Sequence, residues 1–171
     1  QSKFLDPVGG LMGTRAKEDL SSEHRDEHAS KILIPLGPTL DKSKIVAALQ
    51  ALSSFRNPLL VPFHVVELPS RTAPLDSALY ESELREAEDK YLVDIAKWLK
   101  DQGYHVQTKV AIARDVTDGI IEEANNGEYV AVLLLKRRVE KGFLRRHKSV
   151  SEKVSRYVEC LVITQLVGET D

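Results

Sequence analysis

The residues best suited to chemistry in this 171-residue sequence are basic side chains that directly follow an apolar run. Residues 130–135 are continuously apolar, as in a buried strand, and residues 136–148 then hold seven lysines and arginines, one histidine and one glutamate. Ser149 and Glu152 follow with the S-x-x-E spacing of a helix capping box. A strand, a loop and a helix amino terminus in this order bring cations and free amides to one sheet edge. This arrangement favours the binding of an anion.

The composition of this loop differs from that of ordinary phosphate-binding loops. Those loops carry several glycines, because the backbone must approach the phosphate oxygens closely and adopt positive φ angles. Gly142 is the one glycine in residues 136–148. Arginine side chains can hold a phosphate bidentately in place of the missing amides. The alternative is a solvated charged face, which is the commoner fate of such a run.

Composition limits the classes of function. With 42% hydrophobic content, the chain is long enough to form one globular domain with its own core. A net charge of −2 gives no overall attraction to nucleic acid, and we expect no nucleic-acid partner. The single cysteine, Cys160, excludes an intramolecular disulfide and fits a reducing compartment. No apolar run approaches the roughly 18 residues of a membrane-spanning helix.

Neither a metal site nor a catalytic centre is predicted. His24 and His28 have i, i+4 spacing beside carboxylates, but no third ligand accompanies them, and a solvated linker explains them. His64 has no Ser, Asp or Cys partner placed by the pattern, so we expect it to pack or to lie at a rim. No paired carboxylates or Cys/His pair stand out, and we expect a protein that is not an enzyme.

Strands and helices alternate along the chain, which predicts a parallel α/β sheet with right-handed crossovers. No tight hairpin joins successive strands, and this favours a doubly wound arrangement. Five strands are predicted, at residues 31–36, 59–68, 105–112, 130–135 and 161–166.

The predicted helices between these strands are amphipathic. Residues 74–102 are expected to form one long helix ended by Gly103, with Tyr91 packed in the core rather than stacked on a cofactor. Asp115 or Thr117 is expected to cap the helix after the third strand. The first helix is predicted to bury a face made of Ile45, Val46, Ala48, Leu49 and Leu52.

Residues 129–165 resemble the carboxyl-terminal half of the universal stress protein family. In that family a strand is followed by G-x-x-G, a spacer and G-S/T-V-S/T, and the loop binds ATP phosphates. Ser149, Val150 and Ser151 match the S/T-V-S/T of this motif. The three glycine positions are occupied here by Lys136, Val139 and Lys148.

The amino-terminal half resembles the same family. Residues 31–37 are similar to its K-I-L-V-P-x-D, in which the Asp contacts the nucleotide, and Gly37 stands at that position. Val65 lies in a strand similar to L-H-V-x-E, where the family contacts adenine through the backbone. By family position, the nucleotide-binding residues are Pro35, Leu36, Gly37, Val65, Leu135, Lys136, Arg137, Arg138, Ser149, Val150 and Ser151. ATP or AMP is the cofactor that this resemblance implies.

The resemblance also implies a fold and a domain organisation. The expected fold is a Rossmann-like, adenine nucleotide alpha hydrolase-like sandwich: a doubly wound, five-stranded parallel sheet with strand order 3-2-1-4-5. Residues 31–166 would form this domain. Residues 1–30 are interpreted as a linker or amino-terminal extension able to tether a preceding domain, and residues 167–171 as a tail.

The last predicted strand is the expected dimer edge. Family dimers form through the exposed edge of this strand, and here it has no proline or lysine to protect it. We therefore expect a homodimer. The residues of this edge are Leu161, Val162, Ile163, Thr164 and Gln165.

Three function hypotheses follow. The first is a cytoplasmic, dimerising regulatory domain whose nucleotide pocket is degenerate or remodelled, so that it is not a standard ATP binder. The second is a cytosolic carboxyl-terminal regulatory domain of a membrane transporter, in which the basic loop meets the transporter or anionic lipid, at about 1 kcal/mol per basic residue. The third is a binder of adenine nucleotide that uses the basic loop in place of the glycine loop.

Overall fold

The fold is a parallel α/β sandwich, seen in a computed structural model that describes residues 30–37, 42–68, 77–137 and 150–167. The described strands are β1 Lys31–Pro35, β2 Leu59–Glu67, β3 His105–Val106, β4 Lys109–Ala113, β5 Ala131–Arg137 and β6 Leu161–Val167. The described helices are α1 Lys42–Gln50, α2 Ser77–Tyr91, α3 Val93–Asp101, α4 Val116–Asn126 and α5 Val150–Tyr157.

The sheet order confirms the predicted topology. The strands lie in the order β3-β2-β1-β5-β6, with β4 also paired to β2, and every pairing is parallel. If β3 and β4 count as the two parts of the predicted third strand, this is the order 3-2-1-4-5. Val167, at the end of β6, is buried, so the last strand extends one residue beyond the predicted domain boundary.

Pro62 of β2 explains why the third predicted strand, residues 105–112, is divided. Leu60 accepts a hydrogen bond from Gln107 N at 2.9 Å on the side of β2 that faces β3 and β4. Backbone groups of alternate residues face the same side of a strand, so Pro62 faces that side too. Proline has no N–H, and the ladder lacks a donor there. The prediction of one uninterrupted strand was therefore wrong.

The predicted single helix over residues 74–102 is also wrong, because the helix is interrupted at Leu92. Leu92 has φ −114°, although its N–H still bonds the carbonyl of Glu88 and its carbonyl accepts from Ala96 N, both at 2.9 Å. Its side chain is completely buried. The exposed helix α2 buries Ala87, whereas α3 is more deeply packed and buries Ile95, Ala96 and Leu99. Gly103, at φ +93°, follows the end of α3 as predicted.

Two hydrophobic clusters cover the two faces of the sheet. Alternate β1 residues divide between them: Ile32 and Ile34 belong to one, and Leu33 to the other. Helices α1 and α3 cover the first face and α4 and α5 the second, which confirms the doubly wound arrangement. The predicted core residues of the first helix are buried except Val46, which is 48% exposed, although Leu52 lies just past the end of α1. The predicted apolar stripe was one residue too wide.

Candidate functional site

A cleft of about 460 Å³ opens at the carboxyl ends of β1, β2 and β5. The strand order reverses direction at β1, so this is the topological switch point at which open α/β sheets hold ligands. Its volume lies within the range of roughly 300–1,000 Å³ typical of small-molecule sites. The described lining residues are Pro35, Leu36, Gly37, Phe63, His64, Val65, Glu67, Tyr91, Val116, Ile120, Leu134, Leu135 and Val150.

One wall of the cleft is made by His64 and Tyr91. His64 Nδ1 lies 3.0 Å from the carbonyl oxygen of Leu36 and donates to it, since a carbonyl can only accept. Leu36 N in turn donates to Phe63 O at 2.8 Å, so the end of β1 is fixed against β2. The rings of His64 and Tyr91 are 4.4 Å apart between centroids and tilted by 33°, and Lys90 Nζ lies 5.1 Å from the Tyr91 centroid. These contacts give the wall a defined shape.

The amino end of α5 also lines the cleft, and α4 holds this helix in place. Val150 lines the cleft, and one turn later Val154 is completely buried in the core. At the other end of α5, Asn125 Nδ2 donates to Tyr157 O, and Asn125 Oδ1 accepts from Glu159 N, both at 3.0 Å. This amide therefore bonds both sides of the turn that ends the helix, so α5 keeps its position relative to α4.

Helix α4 is itself held closely against the sheet. Asp115 caps it as predicted, because its side chain accepts from Asp118 N at 3.0 Å. A Cβ at Gly119 would meet Val65 Cγ1 at 2.9 Å, so only glycine permits this approach of α4 to β2. Asp118 also accepts from Lys153 Nζ at 2.9 Å, and this hydrogen bond raises the pKa of the Lys153 ammonium. Both elements that face the cleft from this side are thus fixed.

The described charges around the cleft are mainly acidic. Glu67, at the end of β2, is the one carboxylate in the described lining, and no lysine or arginine is found there. A second recess of about 320 Å³ adjoins the cleft and shares His64, Val65, Glu67 and Tyr91 with it. Three further charged side chains line this recess: Glu83, Glu86 and Lys90.

The structure brings together most of the predicted nucleotide-binding residues that it describes. Those that line the cleft are Pro35, Leu36, Gly37, Val65, Leu135 and Val150. Lys136 is exposed on β5 and is not among the lining residues, and Ser151 is partly buried in the first turn of α5. Arg137 is placed only by its backbone at the end of β5. Arg138, Ser149 and the basic side chains between them lie outside the described residues, as do His24 and His28.

Sequence reasoning missed part of the lining. Tyr91 was expected to pack in the core and His64 to pack or to lie at a rim; the two rings do contact each other, and both residues also line the cleft. Glu67 was not selected, although it is the first charged side chain after the apolar residues of β2. A carboxylate at the carboxyl end of a central strand is the signal that identifies such a position. The other lining residues not predicted as a site are Phe63, Val116, Ile120 and Leu134.

The predicted dimer edge lies at the border of the described sheet. β6 pairs with β5 along its whole length and has no second neighbour among the described strands. Leu161 is 56% exposed and Leu166 is 51% exposed, while Val162, Ile163 and Gln165 are partly buried and Thr164 is exposed. The predicted edge residues thus form a continuous open strand in the part of the chain that the structure describes.

A polar cluster at the opposite end of the sheet has a structural role. Lys31 Nζ donates to Gly127 O at 2.7 Å and lies 4.4 Å from the centroid of the Tyr129 ring. Tyr129 Oη donates to Glu123 Oε1 at 2.8 Å, and Lys109 Nζ pairs with the same carboxylate oxygen at 2.7 Å. Burial, followed by the hydrogen bond and charge of Glu123, raises the pKa of the Tyr129 phenol. The cluster joins the start of β1 to the end of α4.

The described residues offer little for a metal site, a reactive thiol or a membrane-spanning helix. No group of three or more His, Cys, Asp and Glu side chains comes together there as metal ligands. Burial raises the pKa of the partly buried Cys160 thiol, which disfavours the reactive thiolate. Over the same residues, no helix combines the length and apolar character needed to cross a bilayer.

Comparison with known proteins identifies the fold. No family model and no curated protein matches the sequence. Among solved structures, a universal stress protein from Archaeoglobus fulgidus aligns over 83% of this chain and 97% of its own, with a TM-score of 0.57 and 16% identity. One from Burkholderia pseudomallei aligns over 80% and 95%, with a TM-score of 0.55 and 22% identity. One from Lactobacillus plantarum aligns over 80% and 97%, with a TM-score of 0.58 and 18% identity. The chain therefore has the universal stress protein fold.

Proposed function

We propose that this chain is a non-catalytic regulatory domain that self-associates through β6 and whose cleft has been remodelled, so that it does not hold ATP in the manner of the family it resembles. The observation that carries the proposal is the described lining of the cleft at the carboxyl ends of β1, β2 and β5. This lining is largely apolar, has Gly37 where the family motif has an acid, and carries Glu67 as its only carboxylate.

The described lining of the cleft suits a phosphate poorly in both its charge and its hydrogen-bonding capacity. A nucleotide phosphate needs donors, which are supplied by glycine-loop amides or by cations. The described lining offers instead the apolar side chains of Leu134, Leu135 and Val150 and the carboxylate of Glu67. An anionic group beside a carboxylate in a partly enclosed space is repelled and loses hydration. The alternative is a nucleotide grip supplied by residues 138–149, which lie outside the described residues.

A titration separates these alternatives. We expect ATP, ADP and AMP, with and without magnesium, to leave the melting temperature unchanged at low and moderate salt. If the nucleotide binds at a genuine site, a nucleotide concentration of about 100 times the dissociation constant would add about 2.7 kcal/mol to the free energy of unfolding. The melting temperature would then rise by several degrees. If the basic loop replaces the glycine loop, ATP causes a saturable rise in the melting temperature, and this rise is lost in Arg137→Ala. It persists in the control Arg156→Ala, which alters an exposed arginine on α5 that does not line the cleft.

Self-association is supported by the direction of the backbone groups in β6. Val130 N donates to Lys31 O, so odd-numbered β5 residues face β6. The register pairs Leu135 with Gln165. In a parallel ladder, a residue bonds to the two neighbours of the residue level with it, so the β5 groups that face β6 bond to even-numbered residues of β6. The N–H and C=O groups of Ile163 and Gln165 consequently point to the open edge. Such an edge, with apolar flanking side chains, is a template for pairing with a second strand.

The dimer is tested by sedimentation velocity or light scattering. Gln165→Pro removes an outward N–H without removing a β5–β6 hydrogen bond, so it is expected to yield a folded monomer. Leu161→Lys, which places a charge on the edge, should also weaken association. The matched control is Leu79→Lys on α2, where the leucine is 57% exposed compared with 56% for Leu161. A wild-type monomer at micromolar concentration would refute this part of the proposal.

A further inference from the structure

Two of the three polar side chains in the described lining, those of Glu67 and His64, can offer hydrogen-bond acceptors to a ligand. The carboxylate of Glu67 accepts only, when ionised. His64 uses Nδ1 to donate to the carbonyl of Leu36, which leaves Nε2 of the neutral ring as an acceptor. Tyr91 adds an aromatic face and a hydroxyl. A ligand that complements this set must bring donors.

The charged side chains that line the cleft and the adjoining recess favour a cationic ligand. Glu67 has no hydrogen-bond or ion-pair partner within the described residues, although it lines both the cleft and the adjoining recess. In that recess two more carboxylates, of Glu83 and Glu86, stand against the single ammonium group of Lys90. A cation placed here gains from the surrounding charge, whereas an anion is repelled.

The lining of the cleft combines one exposed carboxylate, that of Glu67, with mainly apolar side chains. Apart from His64, Glu67 and Tyr91, the described lining side chains have no polar atoms, among them Phe63, Ile120, Leu134 and Val150. The cleft volume of about 460 Å³ accommodates a ring-sized group, and the rings of His64 and Tyr91 form one side. The apolar group would contact the apolar side chains, while the charged group pairs with Glu67.

We propose that the cleft binds an organic amine whose apolar ring system lies against the apolar lining and whose ammonium group pairs with the carboxylate of Glu67. This inference rests on the proposed function, since it names the class of ligand that the remodelled cleft takes. It uses the cavity, its lining and the described charges, and the basic residues 138–148 do not enter it. Such binding needs no covalent step and suits a regulatory domain that responds to an amine.

Three indole probes of similar shape test the proposal by calorimetry on the full chain. Tryptamine carries an ammonium group, tryptophol a neutral hydroxyl and indole-3-acetate a carboxylate. We expect tryptamine to bind with a dissociation constant below about 1 mM, tryptophol more weakly and indole-3-acetate weakest of all. Equal or tighter binding of indole-3-acetate would overturn the proposal, and so would the failure of tryptamine to saturate.

Substitutions locate the interaction. Glu67→Gln is expected to weaken tryptamine about three- to tenfold and to change tryptophol less than about twofold, because only the charged pair is lost. Glu122→Gln, at an exposed site on α4 that does not line the cleft, is the matched control and should leave both unchanged. Gly37→Phe should block both ligands, because Gly37 lines the cleft and has open space around its Cβ position. A tryptamine affinity that is the same in Glu67→Gln and wild type would overturn the assignment of Glu67.

The outcomes distinguish this inference from the proposed function. If tryptamine fails to bind while ATP also gives no shift and the chain dimerises, the inference is wrong and the proposed function stands. If ATP binds saturably at one site per chain, the proposed function is wrong. In that case, tryptamine binding that depends on Glu67 would still support the amine site.

Discussion

Helix α4 approaches the sheet so closely at Gly119 that adding one methyl group is expected to destabilise the fold. In Gly119→Ala the new Cβ would lie 2.9 Å from Val65 Cγ1, 3.1 Å from Val65 Cγ2 and 3.1 Å from Ala113 Cβ. Val65 is buried and β-branched, so it has little freedom to rotate away. Overpacking of this kind costs about 1–3 kcal/mol, and the higher helix propensity of alanine returns about 1 kcal/mol.

The net expectation is a loss of up to about 2 kcal/mol in the free energy of unfolding, or up to roughly 8 °C in Tm for a domain of this size. Urea denaturation followed by circular dichroism measures it. Gly37→Ala is the control, since a Cβ there meets nothing within 4 Å. In a Val65→Ala background the cost of Gly119→Ala should fall by about 1 kcal/mol, because the blocking methyl groups are gone. If Gly119→Ala stabilises the wild type, helix propensity outweighs the contact and the close-packing argument is refuted.

Three further predictions concern the elements that hold the site. Asp115→Ala should lower the stability by about 1 kcal/mol through loss of the α4 cap, whereas Asp115→Asn should retain most of it, as measured by thermal unfolding. Asn125→Ala should cost about 1–2 kcal/mol and loosen α5, which hydrogen exchange at the end of that helix would reveal; unchanged exchange there would contradict the assigned role. Tyr129→Phe should lose about 1 kcal/mol at neutral pH, through the hydrogen bond to Glu123. The pKa of Tyr129 is raised in the folded state. The stabilisation is therefore fully present below the ordinary tyrosine pKa of about 10 and decreases as the pH rises above that value. The difference in stability between wild type and Tyr129→Phe should shrink over that range.

The sheet could be predicted because its signals are local. Apolar or alternating stretches separated by amphipathic helices indicated where the strands lie, and the resemblance of residues 31–37 and 149–151 to the universal stress protein family implied the strand order. The position of the cleft followed from the same order, since the switch point of an open parallel sheet lies at the carboxyl ends of its central strands. Six of the predicted site residues, including Gly37 and Val65, consequently line the cleft.

The remaining features depend on contacts between distant segments. Pro62 is visible in the sequence, but its effect on residues 105–112 depends on which neighbour its nitrogen faces, and that follows only from the register with β1 and β3. The interruption at Leu92 lies where the exposed helix α2 meets the more deeply packed helix α3, and the Leu92 side chain there is completely buried. The place of Glu67 in the cleft lining depends on residues from β1, α2, α4, β5 and α5, which are distant from it in the sequence.

The most direct test of the account is a titration of the isotopically labelled chain with ATP, and separately with tryptamine, followed by NMR of the backbone amides. We expect ATP to leave the amides of Gly37, Val65 and Leu135 unmoved, and tryptamine to shift these and Val150 along one saturable curve. Saturable shifts of the same amides by ATP, at one equivalent per chain and resistant to salt, would contradict the central claim that the cleft has been remodelled away from the nucleotide.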